Sequence, residues 1–182
     1  LASTDTLTGV ATRRHLLELA GHELARTHRS GRPLALVLLD IDHFKSINDR
    51  FGHETGDVVL SRIGELLRGE LRQVDLAARW GGEEFCLLLP DTNLQAALEI
   101  AERLRAALES MSMVSHDGTP VSVTASFGVA LSSPDDHDLH RLVDAADQAM
   151  YRAKREGRNR VRVASAAPSP LDNNQLKAGA GN

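Results

Sequence analysis

Gly81-Gly82-Glu83-Glu84-Phe85 sets two adjacent carboxylates beside a glycine pair, and no other stretch of the chain is better suited to chemistry. Glycines let a phosphate approach the backbone, and carboxylates at a hairpin tip can hold a metal. A second acidic pair, Asp40-Ile41-Asp42, follows the apolar run Leu34-Ala35-Leu36-Val37-Leu38-Leu39. If the two segments are neighbouring strands, Asp40 and Glu83 meet at one point. They would then supply the oxygen ligands that Mg²⁺ takes together with substrate phosphates.

The elements that must position these acids follow from periodicity. Ala77-Ala78-Arg79-Trp80 and Phe85-Cys86-Leu87-Leu88-Leu89 read as the two strands of a hairpin around the glycines. Helical stripes run through Leu16, Ala20 and Leu24; Val59, Ile63, Leu66 and Leu67; Leu94, Ala97, Leu98, Ala101, Leu104 and Leu108; and Leu139, Leu142, Val143, Ala146 and Met150. Strands are expected near 34–41, 74–80, 84–89 and 121–130, with a short last one near 159–164, giving the order α, β, α, α, β, β, α, β, α, β. A hairpin within that order rules out a purely parallel sheet, so the expected fold class is α+β, a mixed or antiparallel sheet flanked by helices. From Ser165 onward Pro168, Pro170, Asn173, Asn174, Gly179 and Gly181 break all periodicity. The expected organisation is one domain over 1–164 and a flexible tail over 165–182.

Composition excludes several classes. The 182 residues, 42% hydrophobic and 25% charged, suit one globular domain with a substantial core. A net charge of −4 argues against sequence-independent nucleic-acid binding, which needs clustered Lys and Arg, and leaves a small phosphate ligand open. The single cysteine, Cys86, can build neither a disulfide framework nor a thiolate zinc site, and a reducing compartment fits. The eight histidines show no paired ligand spacing. No apolar run reaches the roughly 20 residues that span a bilayer, and no secretion signal opens the chain. Its first residue is Leu1, as expected of a module excised from a longer protein.

Several motifs coincide in order and spacing: Asp5-Thr6-Leu7-Thr8-Gly9, Asp40-Ile41-Asp42-His43-Phe44-Lys45, Asn48-Asp49, Gly52-His53-Glu54-Thr55-Gly56-Asp57, Gly81 to Phe85, and Lys154 to Asn159. Together they closely resemble the GGDEF family of bacterial diguanylate cyclases, from Asp5 to Val163. The resemblance implies a central sheet of about five strands flanked by helices, like nucleotide cyclase domains and polymerase palms. It also implies Mg²⁺-dependent condensation of two GTP into cyclic di-GMP with release of pyrophosphate, Mn²⁺ being a substitute metal, and one GTP held by each subunit of an antiparallel dimer. A bacterial cytoplasmic location follows, with an upstream sensor domain and a parent protein that membrane anchoring would suit.

Carried over by residue, Asp40, the Ile41 carbonyl and Glu83 ligate Mg²⁺, and Glu83 helps deprotonate the ribose 3′-hydroxyl with Glu84 as the neighbouring acid. A metal beside a hydroxyl lowers its pKa and neutralises charge on the attacked phosphate. Asn48 and Asp57 select guanine, because a carboxylate accepts from N1–H and the 2-amino group together. On spacing alone Asp57 reads equally well as the cap of a helix through Val58 and Val59. Leu7 and Leu60 match positions that pack on the base, although leucines at such positions are more often core. Phosphates fall to the backbone N–H groups of His43 and Phe44 and to Lys45, Lys154 and Arg158, with Gly157 expected to end a helix and turn Arg158 inward. Without the family context the same basic run reads as a solvated helix C-terminus.

Arg72-Gln73-Val74-Asp75 matches the family's RxxD product-inhibition site, with Arg103 as a secondary arginine. An arginine can donate two hydrogen bonds to guanine O6 and N7. The plain alternative is a surface ion pair of little energetic weight. One departure is that Val10 and Thr12 stand where the family usually has Leu and Asn, although Thr12 can still cap a helix. Two rival functions remain: a catalytically quiet cyclic di-GMP receptor, and a cyclase for another purine nucleotide. The complete glycine and acidic signature disfavours the first, and Asn48 with Asp57 disfavours the second.

Overall fold

A computed structural model describes residues 2–135 and 138–165. In chain order the elements are β1 (Ala11–Thr12), α1 (Arg13–Ser30), β2 (Leu34–Ile41), α2 (Phe44–Phe51), α3 (His53–Glu70), β3 (Leu76–Arg79), β4 (Glu84–Pro90), α4 (Leu94–Glu109), β5 (Met113–Val114), β6 (Pro120–Val121), β7 (Ala125–Leu131), α5 (Leu139–Arg155) and β8 (Val161–Val163). The main sheet has six strands in the order β1-β3-β4-β2-β7-β8, and β5 with β6 forms a separate hairpin. Strand β2 runs antiparallel to β4 and β7, whereas β1 lies parallel to β3 and β8 parallel to β7. The α+β class with a mixed sheet is therefore as expected.

The unbroken apolar run of β2 has a direct cause: all eight of its residues are buried, because helices cover both faces of the sheet. Residues Ala35, Val37, Leu39 and Ile41 point to a core shared with Phe85, Phe127, Ile63 and Leu104. Their alternates Leu34, Leu36 and Leu38 point to a second core with Leu16, Leu24, Leu88, Leu142 and Met150. The strand period of two and the helical stripes thus meet in a three-layer sandwich. Helix α5 approaches β7 closely enough that a Cβ on Gly128 would lie 2.1 Å from the Ala146 carbonyl oxygen and 2.3 Å from the Met150 nitrogen.

Three differences from the expected elements have local reasons. The sixth strand is the two-residue β1, too short to carry periodicity. The stretch expected as one strand over 121–130 divides into β6 and β7. Strand β3 starts at Leu76, not 74, because Asp75 donates its N–H to the Arg72 carbonyl at 3.0 Å and belongs to a turn. Thr12 does cap α1, accepting from the His15 N–H at 3.3 Å. The tail read over 165–182 lies, beyond Ser165, outside the described residues. Among the described residues no helix is long and apolar enough to cross a membrane.

Candidate active site

The C-terminal end of β2 and the β3–β4 hairpin lie side by side because β2 and β4 pair along their whole length, from Leu34 opposite Pro90 to Asp40 opposite Glu84. That register sets Glu84, and not Glu83, across from Asp40. In the turn that joins β3 to β4 the Glu84 carbonyl accepts from both the Trp80 N–H at 2.8 Å and the Gly81 N–H at 3.2 Å. Glu83 stays in the loop, where its carbonyl accepts from the Ile41 N–H at 3.1 Å. Gly81 lies close to the Glu84 side chain: a Cβ there would come within 2.6 Å of its Oε2, which would have to shift.

Asp40 and Glu84 form a partly buried acidic pair with one cation. Lys154 Nζ stands 2.8 Å from the Asp40 Oδ2. Burial pushes the Asp40 carboxyl above its ordinary value, against the hydrogen bond and charge of Lys154. Glu84 is also pushed up, first by burial and then by the neighbouring charge of Asp40. Two hard oxygen ligands held in a state that disfavours their negative charge fit a divalent cation. Among the described residues no three His, Cys, Asp or Glu side chains gather as a ready-made metal cage. Mg²⁺ bound here would therefore draw its other ligands from backbone, water and substrate phosphates.

Beside the acids lies a groove of about 430 Å³ lined by Phe44, Lys45, Asn48, Asp49, His53, Asp57, Leu60, Arg79, Gly82 and Glu83. The structure thus brings Lys45, Asn48, Asp57, Leu60 and Glu83 to one cleft. Asp57 does not cap α3, which begins at His53 after Gly52, and it lies instead on the exposed side of that helix facing the groove. Asn48 carries the sharpest chemical signal: its Oδ1 is buried without a hydrogen-bond partner. A buried acceptor left unpaired costs free energy unless a ligand donates to it. Gly56 makes room for it, because a Cβ there would stand 1.9 Å from that oxygen.

Other expected residues do not line this cleft. Leu7 is half-buried against the main core. His43 precedes α2 in the left-handed region, with φ of 54°, and its side chain is exposed. Helix α5 ends at Arg155, two residues before Gly157, but Arg158 is exposed and not turned inward. Arg79 was missed by the sequence reading. Its Nη2 donates to the Gly82 carbonyl at 2.9 Å while Nη1 lies 3.5 Å from the Asp5 Oδ2, tying the Asp5–Gly9 motif to the glycine hairpin. Burial pushes the Asp5 carboxyl up, but two Thr8 hydrogen bonds and Arg79 outweigh it and hold it low. The available signal was Arg79 itself, a cation placed immediately before Trp80-Gly81-Gly82.

On the far side of the hairpin, Arg72 folds onto Asp75. Its Nε donates to Oδ2 at 2.9 Å and its Nη2 to Oδ1 at 2.7 Å, and Nη2 also reaches the Thr92 Oγ1 at 2.7 Å. The Asp75 side chain is 1% exposed and that of Arg72 48%, so this is an anchored pair and not a loose surface contact. Arg103 sits nearby, donating to the Glu70 carbonyl at 3.1 Å.

Strand-end acids, a buried unpaired amide and a basic rim on a mixed sheet define a nucleotide-binding domain built for phosphate chemistry. Comparison with known proteins makes the class specific: the chain belongs to the GGDEF family, whose model, described as "Diguanylate cyclase, GGDEF domain", matches residues 2–160. It is 49% identical over 163 residues to Diguanylate cyclase DgcP of Pseudomonas aeruginosa, covering 90% of this chain and 24% of that protein. Among solved structures it is similar to the GGDEF domain of DgcB from Caulobacter crescentus in complex with c-di-GMP. That likeness has a TM-score of 0.87 and 33% identity, over 91% of this chain and 95% of that one. It is also similar to diguanylate cyclase SiaD of Pseudomonas aeruginosa, solved with its activator SiaC, with a TM-score of 0.85 and 42% identity over 90% of this chain and 62% of that one. The chain spans about a quarter of the length of DgcP.

Proposed function

We propose that this domain condenses two molecules of GTP into cyclic di-GMP, with the two active sites brought face to face in an antiparallel dimer. The observation that carries this reading is the buried, unpartnered Asn48 Oδ1 beside Asp57, in a cleft whose rim holds Glu83 and Lys45. An acceptor amide and an acceptor carboxylate together suit the N1–H and 2-amino donors of guanine, which adenine does not present. Leu60 supplies an apolar wall for the base. The domain is then a cytoplasmic module of a longer sensor protein.

Chemistry follows from how these residues hold the reactants. Asp40, the Ile41 carbonyl and Glu84 would hold Mg²⁺, which when bound acidifies the ribose hydroxyl and screens the phosphates. Glu83, on the groove wall, accepts the 3′-hydroxyl proton. The 3′-oxygen of one GTP forms a bond to the α-phosphorus of the other, the α–β bridging bond breaks, and pyrophosphate leaves. A second identical step closes the ring. Lys45, Lys154, Arg158 and the N–H groups of His43 and Phe44 hold phosphate charge, and positioning two substrates supplies the main rate advantage. Product binds at Arg72, Asp75 and Arg103, and feeds back on turnover.

The test is incubation of the purified chain at high concentration with GTP and Mg²⁺, following pyrophosphate and identifying the nucleotide product by chromatography. Cyclic di-GMP forming faster than linearly with protein concentration is the expected result. Absence of product together with tight binding of added cyclic di-GMP would replace this reading with that of a receptor.

A further inference from the structure

Asp42 is a buried carboxylate that the chemistry above does not use. At 5% exposure, it is satisfied entirely by neighbours. Its Oδ1 accepts from the Ser126 hydroxyl at 2.7 Å, and its Oδ2 from the Thr124 hydroxyl at 2.7 Å and from the Asn159 backbone N–H at 3.0 Å. The first two bonds fix the carboxylate to Ser126 of β7 and to Thr124 just before that strand. The third reaches 117 residues along the chain to the turn after α5.

That turn is conformationally demanding. Arg158 and Asn159 both lie in the left-handed region, with φ of 64° and 45°, which residues other than glycine seldom occupy in succession. Such a backbone persists only where its surroundings over-determine it. Asn159 is held from the opposite side as well: its Oδ1 accepts from the Arg105 Nη1 at 2.8 Å. Arg105 is itself fixed, its side chain only 16% exposed and clamped by Glu102 at 2.6 Å and Glu109 at 2.8 Å. Asn159 is thereby strung between the rigid helix α4 and the strand end that carries Asp40. The residues this fixes are its neighbours, Arg158 and, through the end of α5, Lys154 on Asp40.

We propose that Asn159 is a positioning residue for the substrate's triphosphate, held in register by Arg105 on one side and Asp42 on the other. The proposal rests on the GTP reading above. Arg105 and Asn159 touch no substrate; they set where the two basic side chains meet the β- and γ-phosphates. Loss of the Arg105 bond frees the turn to leave its left-handed form, and phosphate contacts loosen while the guanine contacts at Asn48 and Asp57 persist.

The experiment measures affinity directly, so that it does not depend on turnover. A non-hydrolysable GTP analogue with Mg²⁺, and GMP separately, are titrated into the wild-type chain and into Asn159→Ala, Arg105→Ala and the double variant, alongside each thermal midpoint. The expected result is that each single variant weakens the analogue on the order of fivefold and leaves GMP within twofold. The double variant is no weaker than the worse single one, because both remove the same bond. Asn159→Asp keeps an acceptor for Arg105 but loses the amide that bonds Glu109, so it recovers only part of the affinity that Asn159→Ala loses. Equal loss of analogue and GMP, tracking a fall in thermal midpoint, would overturn the proposal in favour of a purely structural role, as would unchanged affinity for both. If the wild-type chain binds the analogue but makes no cyclic di-GMP, the catalytic reading fails while the positioning comparison stands.

Discussion

Gly56→Ala offers the sharpest test of how the cleft reads its base. Gly56 lies within α3, where alanine is favoured over glycine by about 0.8–1 kcal/mol in a helix interior. Against that gain, the new Cβ would stand 1.9 Å from the Asn48 Oδ1, 3.0 Å from its Cγ and 3.2 Å from the Phe44 Cζ. The phenyl ring need give only a few tenths of an ångström, but the amide must leave. An unpaired buried oxygen loses little by turning toward water, so the ligand-free domain should stay within about 1 kcal/mol of wild type, a shift of roughly 2–4 °C in thermal midpoint. GTP then loses one neutral hydrogen bond, about 0.5–1.5 kcal/mol or roughly two- to tenfold in affinity. Calorimetric titration of a non-hydrolysable GTP analogue, with melting curves on the same samples, reads both quantities. In an Asn48→Ala background the overlap with the amide is gone, so adding Gly56→Ala should raise the midpoint and leave affinity unchanged. Wild-type affinity in Gly56→Ala, or an equal destabilisation in both backgrounds, would refute the assignment of Asn48 as a guanine contact made possible by Gly56.

Two further outcomes follow from the electrostatics. Because burial and then Asp40 raise the Glu84 carboxyl in the folded domain, its ionisation is absent in acid in both states and opposes folding increasingly as pH climbs through the ordinary carboxylate range. Glu84→Gln should therefore abolish turnover yet raise the metal-free thermal midpoint at neutral pH and not below the ordinary carboxylate value; a midpoint gain equal at both pH values would contradict the cause assigned. Arg72→Ala strips the side-chain donors from the buried Asp75 carboxylate, which keeps only the backbone N–H of residue 72 at 2.9 Å. It should cost about 1–3 kcal/mol of stability by denaturant titration and relieve product inhibition, and inhibition that persists in the folded variant would remove Arg72 from the feedback site.

What the sequence made legible, and what it hid, divides along physical lines. Strand β2 was readable because burial on both faces leaves an unbroken apolar run, and α4 because its stripe repeats over 16 residues. Two-residue strands such as β1 and β5 repeat nothing and leave no such trace. At the site, the two acidic motifs pointed to one place, but the partner of Asp40 depended on the register of β2 against β4, which the motif spacing does not reveal. One residue of register exchanges the faces of a strand, and here the β2–β4 pairing sets Glu84 opposite Asp40 while the Glu83 carbonyl takes the Ile41 N–H. The same limit applies to Asp57. On spacing alone it suited a helix cap as well as a groove contact, and α3 starts at His53, a turn earlier, so the carboxylate faces the groove. Contacts such as Gly56 with Asn48, or Asp42 with Asn159, join residues whose types suggest no bond and whose spacing has no period. They exist only once the sheet has been assembled. The two kinds of information are therefore complementary: the motifs name the atoms that can do chemistry, and the register of β2 against β4 decides which of two neighbouring carboxylates shares a field with Asp40 and Lys154 and which is left on the groove wall.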